Sequence, residues 1–265
     1  METTGKLAVI TGASSGLGSV FARQLAARGY RLLLVARRAA RLEELSRTLD
    51  TDTEIIACDL ADPAETEKLA LYLRERRDVS LLVNNAGFGT LGRFHETDYG
   101  RQADMVQVHV LATMRLTRAV LPAMIQARDG AIINVSSVAA YFRSAGNVSY
   151  CATKGWMNDF CEGLRIELDA IQSPVVVQAL CPGFTYTEFH ETMGVNRAQI
   201  PKWLWMPADY VVRASLAGLD ARKLFVIPNW KYRVASTFSR LLPTGWRLAL
   251  EKASPHKRDL SSSPR

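Results

Sequence analysis

Leu7-Ala8-Val9-Ile10-Thr11-Gly12-Ala13-Ser14-Ser15-Gly16-Leu17-Gly18 decides how the rest of the chain is read. Its first residues are apolar and strand-like, and its glycines lead straight into a segment, 16–28, with helical apolar spacing. A strand that turns through glycines into a helix lets a ligand approach the backbone, and the unpaired N–H groups of the helix start attract its negative charge. The glycine spacing is GxxxGxG. Such a turn can be purely structural, but its place between first strand and first helix points to the pyrophosphate of a dinucleotide.

Outward from this turn, apolar runs at 7–10, 32–35, 55–57, 81–83, 131–135, 175–180 and 224–227 read as strands. They are continuous rather than alternating, the pattern of parallel strands covered on both faces. Segments 16–28, 39–49, 63–77, 99–127, 150–171 and 208–219 have helix-like spacing, and Pro63 behind Asp62 suits a capped first turn. No repeat or low-complexity linker interrupts the alternation. The expectation is one α/β domain over 1–228, a Rossmann-type doubly wound parallel sheet of seven strands with helices on both faces.

Composition narrows the function classes. With 48% hydrophobic residues the 265-residue chain can form a core without staples. Cys58, Cys151, Cys161 and Cys181 form no CxxC pair and no metal-ligand spacing with the four histidines, so buried thiols, a reducing cytoplasmic setting and no metal are expected. Neither a signal peptide nor a membrane-spanning helix is expected, because the N-terminus enters a short strand directly and no long apolar run follows. The net charge is +7, and from Arg222 onward ten Lys/Arg face two acids. The basic excess therefore belongs to the C-terminal extension, 229–265, and a nucleic-acid partner is not expected. That extension is apolar and basic to about Lys252, then Ser/Pro-rich and expected to be disordered. Leu241, Leu242, Trp246, Leu248 and Leu250 lie amid Arg240, Arg247 and Lys252. Peripheral membrane contact and packing on a second subunit both stay open for it.

The second strand ends at Ala36-Arg37-Arg38, where a site selecting NAD would usually hold the ribose 2′-OH with a carboxylate. Arginine there can fork onto a 2′-phosphate, so the reading is NADP(H) through Arg37; a solvated arginine pair is the alternative. Asp59, after the third strand, is a candidate for the adenine or a plain turn residue.

Tyr150 and Lys154 stand four apart at a helix start and share one face. Ser137 follows the fifth strand, at the carboxyl edge where open α/β sheets bind ligands. A phenol with a pKa of about 10 holds its proton at neutrality, and a neighbouring ammonium should lower that value. Ser137 to hold a carbonyl oxygen, Tyr150 to protonate it and Lys154 to tune Tyr150 make a carbonyl/alcohol redox set.

Thr11–Gly18, Asn84-Asn85-Ala86-Gly87, the Ser137–Tyr150–Lys154 set and Pro182-Gly183-Phe184-Thr185-Tyr186-Thr187 together resemble the short-chain dehydrogenase/reductase family over about residues 6 to 228. The resemblance implies a nicotinamide cofactor, Lys154 on the nicotinamide ribose, Thr185 and Thr187 on the carboxamide, and Asn85 near the cofactor. The cofactor set becomes Gly12, Ser14, Ser15, Gly16, Leu17, Gly18, Arg37, Asp59, Leu60, Asn85, Ala86, Gly87, Tyr150, Lys154, Pro182, Gly183, Thr185 and Thr187. One departure is that His109 stands where similar enzymes carry a relay asparagine. Its backbone carbonyl, its imidazole or mere packing are the alternatives.

Residues 188–207 should form a lid over the substrate. Phe184, Tyr186, Phe189, Met193, Trp203, Leu204, Trp205 and Met206 make this region apolar, either to bind a hydrophobic ketone or to anchor the lid. The stretch 202–219 with Lys223–Pro228 also resembles, more loosely, a bacterial branch that reduces long-chain β-keto acyl groups, including mycolate precursors. The reading is an NADPH-dependent ketoreductase, expected to be a homo-dimer or tetramer. An NADP-dependent dehydrogenase of a steroid- or retinol-like alcohol and a non-catalytic cofactor sensor are the alternatives.

Overall fold

The computed structural model describes residues 5–189 and 200–253. Seven strands form one parallel sheet: β1 (Leu7–Thr11), β2 (Arg31–Ala36), β3 (Thr53–Ala57), β4 (Val79–Asn84), β5 (Ala131–Val135), β6 (Val176–Leu180) and β7 (Phe225–Val226). Their spatial order is β3-β2-β1-β4-β5-β6-β7. The chain therefore winds outward from β1 in one direction, returns, and winds outward in the other. The crevice where the direction reverses lies between the carboxyl ends of β1 and β4, the place where such sheets bind ligands.

The continuous apolar strands follow from this burial. Successive side chains point to opposite faces, so Leu33 and Val35 feed one core while Leu32 and Leu34 feed the other. The helices divide accordingly. The first core packs on α3 (Pro63–Arg74), α4 (Tyr99–Ala127) and α5 (Val148–Ala170). The second packs on α1 (Gly16–Ala26), α2 (Ala39–Arg47) and α6 (Ala208–Asp220). Asp62 caps α3 through Ala64 N and Glu65 N, as its place before Pro63 suggests.

Helix α4 has two features that the sequence reading did not anticipate. Helix α4 reaches a mean hydropathy of 1.2 over eighteen residues, so a helix long and apolar enough to cross a membrane is present after all. Its apolar face, with Met105, Leu116, Val120 and Met124 buried, packs on the sheet as a core helix. Helix α4 also widens into a π-helical stretch at Gln107–Ala112, around His109. Such a widening marks functional positions more often than ordinary helix does.

Beyond β7 the chain forms α7 (Trp230–Leu241) and α8 (Thr244–Ala253), with Pro243 between them. Helix α7 buries Tyr232, Ser236 and Ser239 against the body, and the Ser239 hydroxyl donates to Tyr141 O at 2.8 Å. Its other face leaves Trp230, Val234, Phe238 and Leu241 exposed. The expected disordered end, 254–265, and Met193 of the lid lie outside the described residues.

Candidate active site

The first wall is the glycine turn, held by the loop after β4. The Thr11 hydroxyl accepts from Asn85 N at 3.0 Å and Ala86 N at 3.1 Å, and the Asn85 amide donates to Thr11 O at 2.9 Å and Gly12 O at 3.2 Å. Asn85 thus shapes the turn through its side chain. Gly12 has φ +65°, and a Cβ on it would lie 2.9 Å from Ala86 Cα. A Cβ on Gly18 would lie 2.2 Å from Gly12 O. Neither position tolerates a side chain without moving backbone, and the result is an open cradle at the start of α1. The Ser15 side chain makes no cap to that helix, so the cradle keeps N–H groups for an anion.

The arginine pair divides its work. Arg38 Nη2 donates to Ser15 Oγ at 2.8 Å and Ser14 Oγ at 3.1 Å, which lays this guanidinium on the cradle. Arg37, the residue read from the sequence as the 2′-phosphate ligand, points instead toward Asp59 at 3.7 Å and is 72% exposed. Arg41, one helical turn on, and Glu188 at the edge of the lid join Arg38; sequence reading named Arg38 only beside Arg37 and missed the other two. Only the run of arginines at the start of α2 signalled them. Asp59 also accepts from Ala61 N at 3.0 Å, in keeping with a turn residue, while Leu60 is buried beside it. A dinucleotide with a 2′-phosphate fits these residues. Gly12, Gly18 and the α1 start would take its pyrophosphate, and Ser14, Ser15 and Arg38 its 2′-phosphate.

The second wall holds Ser137, Tyr150 and Lys154. Ser137 ends the extended stretch after β5 and caps a short 3-10 turn by accepting from Ala139 N at 3.1 Å. Tyr150 lies in the first turn of α5, and Lys154 one turn further. Lys154 is 4% exposed, and its ammonium donates to Val135 O at 2.8 Å and lies 5.8 Å from the centre of the Tyr150 ring. Burial pushes Lys154 down to about 7. Burial likewise pushes Tyr150 up to about 12, with a hydrogen bond from Ser137 acting the other way and Cys151 reinforcing the rise. The expected lowering of the phenol by Lys154 is therefore not what governs it here: desolvation dominates, Ser137 supplies the opposing hydrogen bond, and the lysine faces the end of β5.

His109 is fully buried behind this set. Its ring stands edge-on to Tyr150 at 5.9 Å, with Phe88 N–H donating to Nε2 at 3.2 Å. Burial first, and the charge of Lys154 second, hold the imidazole well below its ordinary value, so it is neutral.

The loop from Pro182 to Thr187 closes the site. Thr185 pairs with Met206 in a short parallel bridge, and a Cβ on Gly16 would meet the Thr187 side chain at 3.4 Å. Pro182 O accepts from Val138 N at 3.0 Å. Gly183 lies under Tyr232, where a Cβ would come within 2.2 Å of the ring. The Tyr232 hydroxyl accepts from Phe184 N at 3.2 Å and donates to Leu204 O at 2.9 Å. The lid aromatics split in role: Trp205 and Met206 are buried anchors, with Trp205 stacked on Tyr186 at 5.0 Å, whereas Phe189 faces Tyr150 at 5.8 Å.

Comparison with known proteins agrees with this geometry. The family described as short chain dehydrogenase matches residues 6–198. A human dehydrogenase/reductase, SDR family member 7, is 33% identical over 190 residues, 69% of this chain; the match spans 56% of that longer protein. The 3-oxoacyl-acyl-carrier-protein reductase of Escherichia coli is 30% identical over 210 residues, 76% of this chain and 84% of that one. A short-chain dehydrogenase from Sphingobium yanoikuyae, solved in complex with NADPH, is 33% identical with a TM-score of 0.81, covering 95% of this chain and 97% of that one. With the glycine cradle, the sheet order and the serine, tyrosine and lysine on one edge, these matches settle the family: the chain belongs to the short-chain dehydrogenase/reductase oxidoreductases.

Proposed function

We propose that this enzyme uses NADP(H) to reduce the carbonyl of a hydrophobic, acyl- or lipid-like substrate to an alcohol, in the cytoplasm. The observation that carries the reading is the guanidinium of Arg38 laid on Ser14 and Ser15, which suits a 2′-phosphate and so the cofactor whose reduced form favours reduction. The cofactor, when bound, supplies the hydride. The Ser137 hydroxyl and the Tyr150 phenol hold the substrate oxygen, and Tyr150 gives it the proton as negative charge develops there. Lys154 in its charged form stabilises the phenolate left behind. Phe189 supplies an apolar contact beside the reacting group. The NADPH-bound neighbour and the Arg38–Ser14–Ser15 contacts support the phosphorylated cofactor. The 3-oxoacyl reductase relative supports a keto-acyl substrate. NADPH oxidation with a panel of β-keto acyl thioesters, bulky aryl ketones and polar sugars tests the reading. Turnover of the sugars alone would overturn it.

A second reading concerns the extension. The exposed face of α7, with Trp246 and Leu248 beyond it and Trp203 of the lid, is apolar. From 230 to 249 the sequence contains Lys231, Arg233, Arg240 and Arg247 and no acid. This combination favours an anionic lipid surface. A twofold-related copy on the same patch would instead set like charges against each other. Co-sedimentation with vesicles containing phosphatidylglycerol, compared with pure phosphatidylcholine, tests it; no binding to either at low salt would exclude it.

A further inference from the structure

Glu188 shares the arginines of the phosphate cradle. Arg41 Nη1 donates to its two carboxylate oxygens at 2.9 and 3.2 Å. Arg38 reaches the same carboxylate at 3.4 Å while its other nitrogen holds Ser14 and Ser15. The backbone brings Glu188 there, because it follows Thr187, whose side chain lies against Gly16 of the cradle. Although burial pulls the other way, the arginines hold the carboxyl below its ordinary value, so it is ionised at neutrality.

We propose that Glu188 is a resident competing anion that sets how tightly this site takes a 2′-phosphate. A phosphate on Arg38 would lie beside a fixed negative charge already using the same guanidinium. The repulsion and the sharing both weaken it, whereas a 2′-hydroxyl at the same place meets neither. Glu188 therefore tunes the contrast between phosphorylated and unphosphorylated cofactors without touching the reacting atoms. The inference rests on the NADP(H) reading above.

The test is calorimetric binding of two probes that lack nicotinamide, 2′,5′-ADP and 5′-ADP, to the full chain. Glu188→Gln should tighten 2′,5′-ADP by about tenfold at low salt, an effect that shrinks toward unity at high salt. It should leave 5′-ADP within about twofold, since that ligand presents no charge to Arg38. In an Arg38→Gln/Arg41→Gln background only the direct repulsion is left, so Glu188→Gln should tighten 2′,5′-ADP by less than it does in the parent and leave 5′-ADP unchanged. Weaker or unchanged binding of 2′,5′-ADP to Glu188→Gln, or an equal shift for both probes, would overturn the proposal. If the parent bound both probes equally, the NADP(H) reading itself would fail and take the proposal with it. Glu188 is half-exposed and the replacement isosteric, so an unchanged melting temperature shows that folding is not what the titration reads.

Discussion

His109 Nδ1 lies 2.9 Å from Thr153 Oγ1, and the Thr153 hydroxyl donates in turn to Tyr150 O at 3.0 Å. Because Nε2 accepts from Phe88 N–H, the proton of the neutral ring sits on Nδ1 and donates to Thr153. The imidazole therefore ties the loop after β4 to the turn of α5 that carries Tyr150. Held well below its ordinary pKa, the ring is expected to hold Tyr150 in place rather than to exchange protons.

From this it follows that turnover should show no ionisation belonging to His109 between about pH 5.5 and 7.5, the window of an unperturbed imidazole. His109→Asn should keep the rate within several-fold and the same pH profile. His109→Ala leaves the Phe88 N–H without its acceptor and should lose about 1–3 kcal/mol of stability. A limb in this range present in the parent and absent in His109→Asn would show that the ring takes part in proton transfer.

Tyr150→Phe removes the proton donor and should lower turnover by about a hundredfold to ten-thousandfold with NADPH affinity nearly intact. Ser137→Ala removes a donor aimed at the developing oxyanion and should cost about a hundredfold to a thousandfold. Steady-state rates paired with fluorescence titration of NADPH separate these effects from a binding defect.

Lys154, pushed down to about 7, should impose a basic limb: reduction slows as pH rises through that value and the lysine loses its charge. Stability moves oppositely. Between about 7 and the ordinary lysine value of 10.5 the unfolded chain holds a proton that the folded chain has shed, so stability rises with pH across that window and is flat below it. Lys154→Met should remove the limb and that rise together, as read from pH–rate profiles and denaturant midpoints at pH 7 and 9.5.

Arg38→Gln should weaken NADPH relative to NADH by about tenfold or more, since it loses a charged contact to phosphate. Arg37→Gln should shift the same ratio by less than about threefold, given the exposed position of that side chain. The ratio of dissociation constants decides, and the reverse ranking would restore Arg37 as the phosphate ligand.

Tyr232→Phe deletes a hydroxyl that serves Phe184 N and Leu204 O under the Gly183 turn. It should cost about 1–3 kcal/mol, which for a chain of this size lowers the melting temperature by several degrees. An unchanged melting temperature would mean that α7 is not part of the folded body's stability.

What the sequence by itself determined is what neighbouring residues decide among themselves. The turn from Thr11 to Gly18 and the i, i+4 pair of Tyr150 and Lys154 need only local backbone geometry, and the continuous apolar strands announce a sheet covered on both faces. Side-chain direction across elements was another matter. Arg37 and Arg38 are adjacent and chemically alike, yet one turns toward Asp59 and the other onto Ser14 and Ser15. The lid aromatics read alike too, but Met206 is buried with α6 and Tyr232, Trp205 packs on Phe184 and Tyr186, and Phe189 meets Tyr150. Only the tertiary structure brought Glu188 to Arg38 across 150 positions of chain, placed Tyr232 from beyond residue 228 on Gly183, and made burial rather than Lys154 govern the phenol. Desolvation and long-range pairing depend on which surfaces meet, and no local pattern of residues records that.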